Sequence, residues 1–216
     1  MTGRTPRRGF LARLAGAAVA LTAAPSVSEA RASSQAVPDE SWLQGLSGAH
    51  KQFFDVGNFR DRVMSRVMIF LDVYGEAYGL QDANLNAVVG VHGPALGFVF
   101  NDALWSKYEL GKRWSVNDPL TKAPAIRNPM VRKESAYDWG AADYSVTRLQ
   151  QRGVRFIACM RSIRALSAEL AGGREAAPPV NAEILANLLP GVTPVPAMIV
   201  AINRAQEAGL TYVFAG

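Results

Sequence analysis

Cys159 is the only cysteine of the 216-residue chain, and the residues around it are the clearest place for chemistry. It lies in the stretch from Gly153 to Leu170, GVRFIACMRSIRALSAEL, whose apolar alternation predicts a strand that ends at Cys159. A helical spacing follows, with Ser162 as its predicted N-cap. A helix N-terminus and neighbouring arginines favour a thiolate, so this junction predicts a reactive thiol. The alternative is that Cys159 is a small buried hydrophobe that only packs.

Other polar residues are expected at the same edge of the sheet as Cys159. The carboxyl ends of parallel strands share one edge, where open α/β folds bind their ligands. His92 follows the second predicted strand, where it would either relay the Cys159 proton or only hydrogen-bond a loop carbonyl. His50 begins its strand and belongs to the opposite edge. The residues predicted to bind a substrate beside Cys159 and His92 are Asp55, Asn58, Gly93, Arg161 and Arg164.

Several classes of cofactor lack their sequence signals. The turn from Gly90 to Gly93 has no Lys-Ser/Thr pair of a phosphate loop, and Gly57-Asn58 is too short a turn to cradle a flavin phosphate. A metal site would need Asp55, His92 and Cys159 together, and their spacing matches no known signature. One cysteine also excludes an internal disulfide and a multi-cysteine zinc or iron–sulfur site. The sequence therefore predicts no metal and no cofactor.

Strands alternate with helices along the chain from His50 onward. Strands are predicted at 50–57, 85–91, 154–159, 191–196 and 210–214. Helices are predicted at 63–79, 98–110, 137–151, 162–170, 182–188 and 197–208. The piece at 191–196 is rich in proline and suits only an edge of a sheet. This order predicts a three-layer α/β sandwich with a mostly parallel sheet of about five strands.

Residues 112–135 interrupt the alternation of strands and helices. The segment contains three prolines and mixed charge, without a helical or a strand period. A stretch of this length without regular structure is usually a lid, an arm for a neighbouring subunit, or a disordered segment. Trp114, Ile126, Met130 and Val131 favour a segment that packs, so we predict an inserted lid or oligomer arm ahead of disorder.

Residues 1–32 are predicted to be an export signal that is removed from the mature protein. TPRRGFL, from Thr5, resembles the twin-arginine signature, and an apolar run and a small-residue cleavage site ending at Ala32 follow. The apolar run is shorter than the roughly 20 residues that span a membrane. An uncleaved amphipathic anchor is the alternative. We expect a periplasmic or secreted protein without stable membrane insertion after cleavage, with residues 33–48 as a flexible leader.

The net charge of +5 comes mainly from the predicted signal. Without the five arginines and one glutamate of residues 1–32, the chain has 18 basic and 17 acidic residues, a net charge of +1. Proteins that bind nucleic acid or anionic membranes usually carry a strong excess of basic residues. We therefore expect no nucleic-acid partner.

Residues 49–216 are predicted to be one domain, which contains three short motifs in order. They are AVVGVHGPALGFV from Ala87, the cysteine stretch from Gly153, and LLPGVTPVPAMIVAINRAQEAGLTYVFAG from Leu188. With these motifs the chain from His50 resembles the DsrE/DsrF-like family. The resemblance implies a flavodoxin-like fold and assembly into dimers, trimers or hexamers. In family members that relay sulfur, the cysteine matching Cys159 carries a persulfide. The export signal and the insert at 112–135 depart from those cytoplasmic members.

The resulting hypothesis is an exported DsrE-like protein that handles sulfur through a persulfide on Cys159, as a sulfurtransferase or a sulfur carrier. Its partners would be further copies of the same chain and a small sulfur compound or a partner protein. The alternative is a non-catalytic oligomeric module of the same fold that binds a ligand or a partner, in which Cys159 only packs.

Overall fold

A five-stranded parallel sheet forms the centre of the structure, a computed structural model that describes residues 38–60, 62–134 and 142–216. The strands are β1 His50–Val56, β2 Leu85–Val91, β3 Arg155–Cys159, β4 Val192–Val195 and β5 Thr211–Phe214. Their order across the sheet is β4-β3-β2-β1-β5, and every neighbouring pair is parallel. The predicted three-layer α/β sandwich is confirmed, with flavodoxin-like layering. The predicted signal at 1–32 lies outside the described residues.

The described residues contain seven α-helices that connect or flank the strands. They are α1 Val63–Tyr78, α2 Asp102–Lys107, α3 Leu110–Arg113, α4 Val146–Gln151, α5 Met160–Leu170, α6 Ala177–Ala186 and α7 Met198–Glu207. Short 3-10 helices lie at Ser41–Leu43, Asp82–Asn84 and Gly93–Val99. No helix in these parts of the chain is both long and apolar enough to cross a membrane.

The order of the strands decides which side of the sheet each helix covers. From β1 to β4 every connection moves one strand in the same direction, and right-handed crossovers then place the helices on one side. The last connection returns past β1, so α7 covers the opposite side. Accordingly, Val67 of α1 and Ile163 of α5 belong to one core cluster, and Met198 of α7 packs with Phe53 and Ile157 in another. We call these two sides the α1 face and the α7 face.

The start of α5 differs from the prediction. The helix begins at Met160 with Cys159 as its N-cap, so the prediction of Ser162 as the N-cap is wrong. No linking residue separates the end of β3 from the start of α5, and a helix that starts this early needs no side-chain cap at Ser162. Cys159 is therefore both the last residue of a strand and the residue before a helix, which agrees with the predicted strand end at Cys159.

Three other predicted helices have different bounds. The helix predicted at 98–110 is divided, because the Oδ1 atom of Asn101 accepts a hydrogen bond from the Leu104 N–H at 3.2 Å and starts α2. Glu109, at φ +47°, then separates α2 from α3. The helix predicted at 137–151 begins at Val146, and part of that range lies outside the described residues. Helix α6 begins at Ala177 rather than Ala182.

The described part of the insert, 112–134, packs against the rest of the fold. Asn128 is 6% exposed, and its Nδ2 atom donates to the carbonyl oxygens of Gly97, Phe98 and Phe100 at 2.9, 3.0 and 2.7 Å. Met130 is buried in the core cluster of the α1 face, whereas Ile126 is exposed. The segment is therefore anchored by a buried amide, and its role as a lid or an arm stays a prediction.

Part of the predicted leader belongs to the folded body. Trp42 is 4% exposed and packs in the core cluster of the α7 face. The Arg155 guanidinium donates to the Trp42 carbonyl at 2.9 Å, and Arg204 forms an ion pair with Glu40 at 2.7 Å. These contacts hold the segment from Glu40 to Gln44 against the sheet.

Candidate functional site

Polar side chains meet at the carboxyl end of β1, the strand at which the order of the sheet reverses. Because β2 and β5 flank β1, the connections on its two sides lead in different directions. Ligands of open α/β sheets bind at the carboxyl edge near such a reversal. Side chains of a strand alternate between the two faces, so Asp55 lies on the α7 face with Phe53. This arrangement places a carboxylate where the fold class binds ligands.

Asp55 is held by one side chain from each neighbouring strand. The Nε2 atom of His92 lies 3.0 Å from the Oδ1 atom of Asp55, and the Tyr212 hydroxyl donates to Oδ2 at 2.9 Å. Asp55 is 7% exposed, whereas 35% of the His92 side chain is exposed. The carboxylate is thus buried and doubly hydrogen-bonded, while the imidazole faces the edge of the sheet.

The backbone around His92 aims its ring toward β1. Its N–H donates to the Val56 carbonyl at 3.1 Å, and its φ of −147° keeps it extended, so the residue continues β2. A Cβ atom on Gly57 would lie 3.0 Å from the Cε1 atom of His92, so a glycine at this position leaves room for the imidazole. Gly93 follows at φ +53°, which glycine adopts without strain, and turns the chain away.

The contact with Asp55 determines the proton arrangement of the His92 ring. A carboxylate only accepts, so Nε2 carries the proton that it donates to Asp55. The neutral ring then has its lone pair on Nδ1, for which the described residues offer no hydrogen-bond partner. This tautomer leaves the Nδ1 atom of His92 free to accept a proton.

Cys159 occupies the position next to His92 on the adjoining strand. The last pair between β2 and β3 is Val91 with Ala158, and His92 and Cys159 are the next residues on each strand. Alternation places both side chains on the α7 face. The free thiol residue is 4% exposed and packs with Ile157 and Val195, and it makes no direct hydrogen bond to His92.

The other predicted substrate-binding residues lie in two different places. Asn58 is exposed beside Asp55 and His92, and its N–H donates to the Gly216 carbonyl at 3.2 Å. Gly93 lies directly after His92. Arg161 and Arg164 instead line a groove between α5 and α6. Because α5 packs on the α1 face, the structure does not bring these two arginines together with the Cys159 side chain.

Two features of the site were missed from the sequence. Tyr212 had no recognisable signal, because its role depends on the pairing of β5 with β1. A cavity of about 320 Å³ is lined by Arg60, Arg62 and Arg66, together with Gly216. The Gly216 carbonyl accepts from the Gly57 N–H at 2.7 Å, but the cavity lies beside α1, on the side of the sheet opposite the Cys159 side chain. Its arginines therefore lie near the carboxyl end of β1 but not on the face that holds Cys159.

The surroundings of Tyr212 change the pKa of its phenol. Tyr212 is 43% exposed as a residue, but partial desolvation of its phenol and the hydrogen-bonded Asp55 carboxylate raise the pKa of Tyr212 above its ordinary value. The phenol thus remains a hydrogen-bond donor to Asp55 over the neutral range.

Among the described residues, no group of three or more His, Cys, Asp or Glu side chains could hold a metal ion. Comparison with protein-family models and with curated protein sequences gives no match for this chain.

Proposed function

We propose that this protein handles sulfane sulfur and that the thiol of Cys159 receives and holds the sulfur atom. The observation that supports the proposal is the neighbouring placement of Cys159 and His92 on one face of the sheet, with Asp55 hydrogen-bonded to His92 at 3.0 Å. A thiol needs a base to become a nucleophile, and an imidazole oriented by a carboxylate is such a base. The resemblance to the DsrE/DsrF-like family and the predicted export suggest a periplasmic or secreted sulfurtransferase or carrier.

The proposed reaction transfers one sulfur atom and needs no oxidant or reductant. The Nδ1 atom of His92 takes the Cys159 proton, and the thiolate attacks the terminal sulfur of an inorganic polysulfide. A new bond joins that sulfur to Cys159 as the old sulfur–sulfur bond breaks, and the polysulfide leaves shortened by one atom with both of its negative charges. The products are a Cys159 persulfide and the shorter polysulfide, and the imidazolium returns its proton to either of them.

A second candidate function is the non-catalytic oligomeric module. Its support is the packing of Cys159, which is 4% exposed in an apolar cluster, together with exposed apolar side chains around α7 and β5. Those exposed side chains are Ile199, Val200, Tyr212 and Phe214, at 74, 50, 43 and 58% exposure. Exposed apolar groups of this kind are common at contacts between subunits. In this case the thiol contributes to packing alone.

The experiment compares sulfur uptake by the folded protein and by a peptide of residues 153–164. Both carry the same cysteine in the same local sequence, but only the protein has His92 and Asp55. After polysulfide treatment at neutral pH, mass spectrometry counts the sulfur atoms that dithiothreitol releases. We expect the protein to gain one sulfur atom faster than the peptide, and His92→Asn to remove the advantage. Uptake by the protein that is slower than by the peptide would contradict the proposal and favour the module.

A further inference from the structure

A groove of about 560 Å³ between α5 and α6 has the features of an anion-binding site. Three arginines line it, namely Arg161 and Arg164 from α5 and Arg174 from the turn before α6. Its apolar surface comes from small side chains, those of Ala165, Ala168, Ala177 and Pro178. Among the described residues, no aspartate or glutamate lines the groove. Its volume lies within the range of roughly 300–1,000 Å³ that is typical of small-molecule sites.

The three guanidinium groups have no counter-charge in the described structure. None of them forms an ion pair or a side-chain hydrogen bond with the described residues. Other arginines differ, since Arg152 pairs with Asp72 and Asp82. Glu169 lies on α5 but pairs with Arg113, so it does not neutralise the groove.

The local structure increases the positive potential of the groove. Arg161 lies in the first turn of α5, where a cation is opposed by the helix dipole, and Arg164 follows three residues later on the same helix. Ala177 and Pro178, which also line the groove, form the N-terminal end of the ten-residue helix α6. Both arrangements place positive charge beside positive charge. They disfavour the empty groove and favour one that holds an anion.

We propose that this groove binds a small organic anion with two or more negative charges, of the phosphate-ester or polycarboxylate class. Three separate guanidinium groups match several anionic groups at once, and each can make two parallel hydrogen bonds to a phosphate or a carboxylate. The alanines and Pro178 provide contact for a short carbon body. Asn181 lines the groove and its Nδ2 atom lies 3.4 Å from the buried Ser167 hydroxyl, which orients the amide. This site lies on the α1 face and is independent of the sulfur chemistry proposed for Cys159.

The test is isothermal titration calorimetry of the full chain with pyrophosphate and with citrate, at constant ionic strength, and with acetate as the singly charged control. We expect saturable binding of at least one multivalent anion and none of acetate; the tighter of the two probes identifies the class. Arg161→Gln, Arg164→Gln and Arg174→Gln should each weaken binding about tenfold. Arg148→Gln alters an exposed arginine of α4 away from the groove and should leave the affinity unchanged.

Two further measurements distinguish a loss of anion binding from a loss of folding. Circular dichroism and thermal unfolding show whether each variant is folded, and Arg164→Lys keeps the charge while it removes the planar fork. This variant should bind with intermediate affinity. Equal affinity in all variants, Arg148→Gln included, would overturn the proposal, as would the absence of saturable binding for both multivalent anions.

Discussion

Replacement of Asp55 by asparagine should slow sulfur uptake by Cys159 without unfolding the protein. The carboxylate contacts the Nε2 atom of His92 at 3.0 Å and the Tyr212 hydroxyl at 2.9 Å. Hydrogen bonds to charged groups contribute about 1.5–3 kcal/mol, which corresponds to about tenfold to hundredfold in rate. Because 35% of the His92 side chain is exposed to solvent, the lower end of this range applies. We therefore expect uptake to slow by about tenfold.

The assay follows the mass of the protein after mixing with polysulfide, at several times and at one pH. Tyr212→Phe keeps the carboxylate and removes one of its two donors, so a smaller decrease is expected. Asp39→Asn changes an exposed carboxylate that bonds only its own turn, and should have no effect on the rate. The reasoning is refuted if Asp55→Asn matches the wild type while its circular dichroism spectrum shows a native fold.

Three further predictions concern ionisation and stability. Because the pKa of Tyr212 is raised, the difference between the ultraviolet titrations of wild type and Tyr212→Phe should show a phenol that ionises above about pH 10. The hydrogen bond from Tyr212 to Asp55 should stabilise the folded protein below that pH, and this stabilisation should be lost above it. Burial alone would raise the pKa of Asp118, but N–H groups of its own turn and a neighbouring guanidinium bring the pKa below its usual value. Asp118→Asn should therefore lower the free energy of unfolding in urea at neutral pH, and the difference from wild type should shrink as the pH falls below about 4. Asn128→Ala removes the Nδ2 donor from the Phe98 and Phe100 carbonyls, while the Gly97 carbonyl keeps the Trp105 indole N–H at 3.0 Å. The substitution should lower the free energy of unfolding by about 3 kcal/mol, whereas Asn117→Ala, at an exposed position, should change it little.

The parts of the fold that follow from local pattern could be predicted from the sequence. LNAVVGV was expected to be a strand and is β2, since a strand buried on both faces reads as a continuous apolar run. A helix was expected at 63–79, and α1 ends with Gly79 as its C-cap at φ +68°, a conformation that suits glycine. Asp55 and His92 were placed at one edge because parallel strands share their carboxyl ends. Those predictions need only the local pattern of each helix or strand and the rule that parallel strands share their carboxyl edge.

The parts that depend on long-range pairing could not be predicted. Nothing in LTYVF indicates that β5 pairs with β1, so Tyr212 was not expected beside Asp55. Trp42 lies in a segment without periodicity, and it is buried against Phe53 while its carbonyl accepts from Arg155, more than a hundred residues away. The direction in which the Arg164 side chain extends depends on where α5 begins, and the first residue of a helix is difficult to predict from a sequence. Such contacts are decided by the tertiary structure.

Alkylation of Cys159 in the folded protein shows whether its thiol is reactive. Iodoacetamide is added at neutral pH to the native wild type, to native His92→Asn, and to both proteins in guanidinium chloride, and mass spectrometry follows the single adduct. We expect native wild type to be labelled faster than native His92→Asn, and this difference to disappear after denaturation. Labelling of both proteins only after denaturation would contradict this expectation, because the thiol would then be closed to any donor.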